Sequence, residues 1–354
     1  MDPISQASLG ASLAQSFVRD EPKLDKSQQV SALLIGALSG MAPDLDVLIH
    51  SDVDPLLFLE FHRQFTHSLI FIPLGALICA LVMYPLINLK SIGTRQVKPQ
   101  LAFAQIYLFA FLGYATHGLL DACTTYGTQL FWPFSNARIA WNTVSIIDPF
   151  FTLPVIVLIL LAAYRKKVRY ARIAFVYAVI FLSLGIIQNQ RAERAVYALA
   201  EQRGHQVERL QVKPSFANRH VWKLIYEFDG RYYVDAVRLL LGTEYIPGTS
   251  IQKLDVKRDY PWLPADSQQA IDIERFRWFS DGFLAVSTKN PNLIMDMRYS
   301  FLPNQINSMW GVEVNKQLID EGDFETHVKY EIQRDLDEKT KRRFFQLLFS
   351  EKLN

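Results

Sequence analysis

The sequence predicts an α-helical polytopic membrane domain followed by a small α+β domain, with the division expected at 1–188 and 189–354. Three observations predict it. Long apolar runs, with charges only between them, fill residues 27 to 188. From about residue 190 charges are scattered throughout, as in a water-soluble domain. Short β-rich runs around an Asp-Gly turn then replace the long apolar ones.

Composition adds exclusions. A net charge of +2 over 354 residues gives no electrostatic footprint for nucleic acid. Two cysteines, Cys79 and Cys123, make neither a disulfide framework nor a CxxC site. The opening MDPISQASLG lacks the basic n-region of a cleaved signal peptide.

The elements follow in chain order. Ile4–Val18 is uncharged but only mildly hydrophobic, and Gln29–Pro43 is apolar but short of a full span. Both read as short, half-buried or re-entrant membrane helices shielded by neighbours. Four clear membrane helices come next: Ser68–Asn88, Leu101–Leu120, Ile147–Tyr164 and Tyr170–Ile187. Alternate loops differ in charge. Loops 19–28, 89–100 and 165–172 carry eleven Lys and Arg, whereas loops 44–67 and 121–146 carry Arg63 and Arg138 alone. The positive-inside rule puts the eleven in the cytoplasm, so both termini and the C-terminal domain are expected outside it. Phe131–Phe134 and Trp141 suit an interfacial aromatic belt, or a loop packed on the soluble domain.

In the second half, Val221–Phe228 and Arg231–Leu239 read as strands around Asp229-Gly230, a type I′ hairpin signal. Phe279–Val286, Asn292–Arg298 and Met309–Val314 read as further strands of an antiparallel sheet. Ser267–Arg275 and Lys329–Leu348 read as helices. Trp222, Tyr232, Tyr233, Trp278 and Trp310 are expected in the core. No nucleophile elbow, P-loop or Rossmann fingerprint occurs.

The polar residues of the apolar half gather at one depth. FHRQFTHS places His62, Arg63 and His67 before the third segment; ATHGLLDACTTYGT places His117 and Asp121 at the end of the fourth. MAPDLDVL places Asp44 and Asp46 after the second, and Asp148 opens the fifth. Ionisable groups at membrane segments are functional candidates by default. His117 and Asp121, four apart, share a helix face. His62 and His67 suit a loop ligand and a first-turn ligand, with Thr66 as a helix cap. Asp44 and Asp46 read as alternating along an extended stretch. Imidazole with carboxylate favours Zn, Mn or Fe over Ca, and the set suffices for one or two ions. Plainer readings stand beside these. Asp148-Pro149 fits an N-cap with Pro at N1, and Asp44 fits turn chemistry. His50, His205 and His220 have no such partners.

PDLD, HRQFTHS, ATHGLLDACTTYGTQLFWPFS and IIDPFFT together resemble a bacterial inner-membrane family, the YdjM/YbcI-like proteins, described as metal-dependent hydrolases and linked in some members to the LexA regulon. The resemblance runs from Met1 to about Thr152. It implies metal ligands at Asp44, His62, His67, His117 and Asp121, with Asp46, Arg63 and Asp148 at further family positions. Family members open with an MDPxTH-like stretch whose His is a candidate ligand; here Gln6 occupies that place.

The expected activity is a membrane-bound metal-dependent hydrolase using zinc, or manganese, on an amphiphilic, lipid-like phosphate or acyl ester. Arg63 would face a phosphate or oxyanion, and Asp46 or Asp148 would act as general base or support a ligating His. Two alternatives differ in class: a metal-ion transporter, which wants ionisable groups through the helices, and a non-catalytic protein with a structural metal.

Overall fold

A computed structural model describes residues 1–18, 26–88, 101–333 and 337–349. The chain forms two compact units: Met1–Leu48 with Phe61–Ile186, and Ile49–Glu60 with Ile187–Asn354. The second unit thus includes a short segment from the first half, whose sequence carries no sign of it.

The first unit is helical. Helix α1 (Pro3–Ser16) is capped by Asp2, which accepts from the Ile4 and Ser5 amides, with Pro3 at N1. α2 (Lys26–Met41) runs into a 3-10 turn, Ala42–Leu48. α3 (Leu57–Phe61) and the single turns Phe65–His67 and Leu69–Phe71 lead to α4 (Ile72–Ile87). α5 (Phe103–Ala122), α6 (Pro149–Arg165) and α7 (Val168–Gln202) follow.

Among the described residues, four helical stretches are long and apolar enough to cross a membrane: Gln28–Leu48, Leu69–Ile87, Phe103–Ala122 and Val168–Gln202. They are not quite the four expected. Gln28–Leu48 qualifies because the 3-10 turn prolongs α2. α6 is shorter, at 17 residues, or about 25 Å. α1, at 14 residues, is largely buried and lies between α2, α5 and α6. The outer faces of α4, α6 and α7 expose Ile78, Leu81, Val82, Leu153, Val157, Leu160, Val176 and Ile180, as lipid-facing surfaces do. Phe131, Phe134 and Trp141 are also exposed. The cationic loops 19–25 and 89–100, on which the orientation argument leans, lie outside the described residues.

Small residues let α1, α2 and α5 touch through their backbones. A Cβ on Gly113 would sit 2.4 Å from the Gly36 carbonyl oxygen, and one on Gly10 2.5 Å from that same atom. This is the small-xxx-small mode of membrane helix packing, set here by Gly36 and Gly40.

The second unit is α+β. Strands β1 (Arg209–Pro214), β2 (Val221–Phe228), β3 (Arg231–Leu239) and β4 (Thr243–Gln252) form an antiparallel meander. The Asp229-Gly230 turn has positive φ at both residues, 49° and 66°, as a type I′ hairpin requires. β2 is buried on both faces. Trp222, Leu224 and Tyr226 pack on Ala192, Ala195, Val196 and Ala200 of α7. Ile225 meets Phe283, Ala285 and Leu293 of a second antiparallel sheet. Helices α8 (Val256–Asp259) and α9 (Gln268–Phe279) precede that sheet: β5 (Leu284–Val286), β6 (Leu293–Asp296), β7 (Trp310–Glu313) and β8 (Lys329–Ile332). α10 (Lys316–Asp320) lies between β7 and β8, and α11 (Glu338–Phe349) follows β8.

Several readings are corrected. Two sheets replace one, and β1 and β4 lacked a recognised pattern. Phe279 ends α9 rather than opening a strand, and Lys329 opens β8 rather than a helix. Trp222 and Tyr232 are core residues, but Trp278 is exposed and Tyr233 and Trp310 are half-buried.

Candidate metal centre

Four donors converge where α2 ends, α4 begins and α5 ends. Asp44 lies in the 3-10 turn after α2, so Asp44 and Asp46 sit on a helical turn rather than on an extended stretch. His67 ends the first of the two single turns before α4. His117 and Asp121 occupy successive turns of α5, facing one point as their spacing requires. The Nε2 atoms of His67 and His117 are 2.8 Å apart. Asp44 Oδ1 lies 3.4 Å from the first and 3.3 Å from the second. Asp121 Oδ2 lies 3.3 Å from His67 Nε2 and 3.8 Å from His117 Nε2. All four donors lie within 4.8 Å of one another. Around a tetrahedral ion bound at about 2 Å, neighbouring donors would stand about 3.3 Å apart. The donor set and its spacing therefore fit a divalent cation. In a second group, Asp44, Asp46 and His62 also bring ligand atoms within 4.8 Å of one another, with Asp44 common to both.

Surrounding bonds orient the donors. His117 Nδ1 is 2.6 Å from the Gly40 carbonyl oxygen, so it donates there and leaves Nε2 turned inward as a lone pair. His67 Nδ1 faces Asp46 Oδ2 at 3.2 Å, the carboxylate–histidine pairing found behind metal-bound imidazoles. Asp46 also holds His62 Nδ1 at 2.7 Å, and accepts from the Thr66 hydroxyl at 2.7 Å and the Arg63 amide at 3.1 Å. Thr66 therefore supports Asp46 and does not cap the helix. Gly118 packs against His67: a Cβ there would lie 2.3 Å from the His67 carbonyl oxygen.

Asp121 is the most heavily bonded member. It accepts from Gln6 Nε2 at 2.8 Å, lies 2.9 Å from Arg63 Nε, and contacts the Met1 α-amine. Gln6 is fully buried and its Oε1 has no hydrogen-bond partner among the described residues. Arg63 is 3 % exposed. It donates to Thr124 Oγ1 at 2.9 Å, stacks 4.7 Å over the Tyr126 ring, and has a left-handed backbone, φ 67°. Such a φ is uncommon outside glycine and here follows the His62 turn. Arg63 thus pairs with Asp121, and the structure places its guanidinium against that carboxylate.

Asp148 stands apart from both donor groups. It caps α6, accepting from the Phe150 and Phe151 amides, with Pro149 at N1. Gln6, noted where the family has a candidate ligand, instead donates to Asp121; Gly118, inside the His117–Asp121 turn, and Thr124, just after it, were not singled out in the sequence. His67 lies just outside the membrane-crossing stretches. Burial disfavours its charged form, but hydrogen bonds to Asp121, Asp44 and Asp46 outweigh this and raise its pKa to about 10.

Apolar helices around a buried His/Asp cluster define a polytopic membrane protein with a potential metal centre. The chain belongs to the YdjM inner membrane protein family, whose pattern matches residues 1–192. It is also similar to the uncharacterized protein YfhP of Bacillus subtilis (strain 168), at 26 % identity over 151 residues. That match spans 42 % of this chain and 42 % of the relative. No solved structure gives a significant match.

Proposed function

We propose that this protein is a membrane-bound metal-dependent hydrolase acting on an amphiphilic, lipid-like ester, with a phosphate ester preferred. The observation that carries the proposal is the convergence of Asp44, His67, His117 and Asp121 at one point beside apolar helices. These four would hold a zinc ion, or manganese, and the Asp44, Asp46 and His62 group would hold a second. An ion so placed supplies an acidified water and polarises a scissile bond.

The chain's own residues have distinct parts. Asp46 orients His62 and His67, and its bonding favours that part over proton transfer. Arg63 balances the charge of Asp121. Asp44 and His62 have side chains 24 % and 18 % exposed, against 0 % for His67 and His117, so they form the open side. His62, held at Nδ1 by Asp46, would bring its Nε2 to the second ion on that open side. In the proposed topology the centre and the C-terminal unit face away from the cytoplasm. The open side favours an enzyme over a closed structural site. The transport alternative wants ionisable groups along the helices, whereas here they gather at one end.

The test is metal content of the purified protein in detergent, with His67→Ala and His117→Ala alongside. Near-stoichiometric zinc or manganese, lost in both variants, supports the centre; hydrolysis of lipid phosphate esters lost in His62→Ala then supports the enzyme. No metal in a folded parent ends the proposal.

A further inference from the structure

α7 is apolar up to Ile187 and then turns polar, from Gln188 onward. Its next side chains grip one end of the first sheet. Gln188 Nε2 donates to the Leu239 carbonyl at 3.1 Å and the Arg219 carbonyl at 3.4 Å. Arg191 Nη2 donates to the Leu240 carbonyl at 3.0 Å. Antiparallel order puts the β1–β2 turn (215–220) and the β3–β4 turn (240–242) together at this end.

That end carries exposed apolar side chains where turns are normally polar. Leu241 is fully exposed, and Leu240 and Phe216 are exposed beside it. The end of α11 is tied to the same place. Arg238 donates to the Leu347 carbonyl at 2.6 Å, and His220 Nε2 lies 3.3 Å from the Leu348 carbonyl oxygen. The outer side of α11 then presents Phe345 and, at 74 % exposed, Phe349. Lys339, Lys341, Arg342 and Arg343 share that helix. The opposite end of the sheet is polar: Asp229 and Gly230 form the turn, and Glu208 accepts from the Asp229 amide.

Depth along α7 identifies what covers the apolar end. Ile187 and Arg191 are four residues apart, about 6 Å along the helix. The polar layer outside the hydrocarbon core is about 5–8 Å thick on each side. Backbone held by Gln188 and Arg191 therefore lies at headgroup depth, where leucine and phenylalanine insert and basic side chains meet lipid phosphates. We propose that the two turns and the end of α11 form a lipid-contact surface, which seats the second unit in the membrane interface at the point where α7 emerges. The occupant is the bilayer itself rather than a partner protein.

The test uses the full chain in lipid nanodiscs containing phosphatidylcholine and phosphatidylglycerol. An environment-sensitive fluorophore is placed at Leu241→Cys, Phe349→Cys or Glu208→Cys, all exposed positions; the native Cys79 and Cys123 are buried, and the labelled parent gives the background. The surface predicts that labels at 241 and 349 are quenched by a lipid carrying a doxyl group high on its acyl chain and shielded from aqueous iodide. The label at 208 should behave oppositely. Labels at 241 and 349 that respond to iodide as 208 does overturn the proposal. Labels shielded from iodide yet untouched by the spin-labelled lipid also overturn it, and assign the surface to a second copy or another protein.

Discussion

The Nε2 atoms of His67 and His117 face each other 2.8 Å apart, although fifty residues separate them in the chain. Two ring nitrogens at that distance share a proton or a cation between them. In the metal-free protein a proton on His67 serves, held by its carboxylate neighbours up to a pKa of about 10. A metal ion bound at both nitrogens would have to displace that proton.

Metal binding near neutral pH should therefore release protons. Calorimetry of zinc addition in buffers of different ionisation enthalpy measures the number, and a buffer-independent heat would contradict the arrangement. The sign of the stability effect follows. The His67 pKa is raised above its usual 6.5, so its contribution is complete below pH 6.5 and vanishes as pH rises through about 10. The melting temperature of the metal-free protein should fall across that window, and that of the loaded protein should fall less.

Asp46→Ala leaves all four donors of the first group in place but frees His67 to rotate. Loss of such outer support lowers metal affinity roughly 10–100-fold. Competition with a chelator reads this directly, and unchanged affinity would remove Asp46 from its supporting part.

Gly118→Val removes no donor either. Its Cβ would meet the His67 carbonyl oxygen at 2.3 Å, backbone against helix. His67 must move, and purified Gly118→Val protein should carry less metal than the parent at equal yield and helicity. Parent-like metal content would mean that the turn can shift without disturbing the donors.

In the second unit Arg275 gathers Asp54, Glu60 and Asp272 at 2.6–2.9 Å, tying the segment Ile49–Glu60 to α9. Arg275→Ala should destabilise that unit by roughly 1–3 kcal/mol, between the cost of breaking an exposed and a fully buried ion pair. Burial of Asp54 acts to raise its pKa, but its bonds to Arg275 and the Leu56 amide prevail and lower it below 3.8. Its contribution is present above pH 3.8 and lost as pH falls through the lowered value. The stability gap between parent and variant, from denaturant titrations, should narrow in acid; a gap unchanged down to pH 2 would exclude Asp54 as its source.

What the sequence revealed follows from the range of each signal. His117 and Asp121 are one helical turn apart, so their common facing needed only helix geometry. The apolar runs and the Asp229-Gly230 hairpin are equally local. Asp46 was legible as a candidate, but its part depends on His62, Thr66 and His67 across a turn whose shape residue spacing does not give. The left-handed backbone of Arg63 and its burial against Asp121 have no signature in the chain. Strands β5, β6 and β7 lie within runs that read as strands, but their pairing into a second sheet with β8 did not show, because strand partners are set by contacts distant in the chain. The place of Ile49–Glu60 escaped because Arg275, more than two hundred residues later, decides it.

The backbone contact between Gly36 and Gly113 has a consequence for the ion itself. The turn bearing Asp44 continues α2, and His117 and Asp121 ride on α5, so helices with no side-chain cushion between them carry three of the four donors. Sliding one helix would break contacts along its length. An arriving cation would thus meet donors already assembled, with little reorganisation left to perform, and the frame would select the cation by size and preferred angles instead of reshaping itself to suit each one.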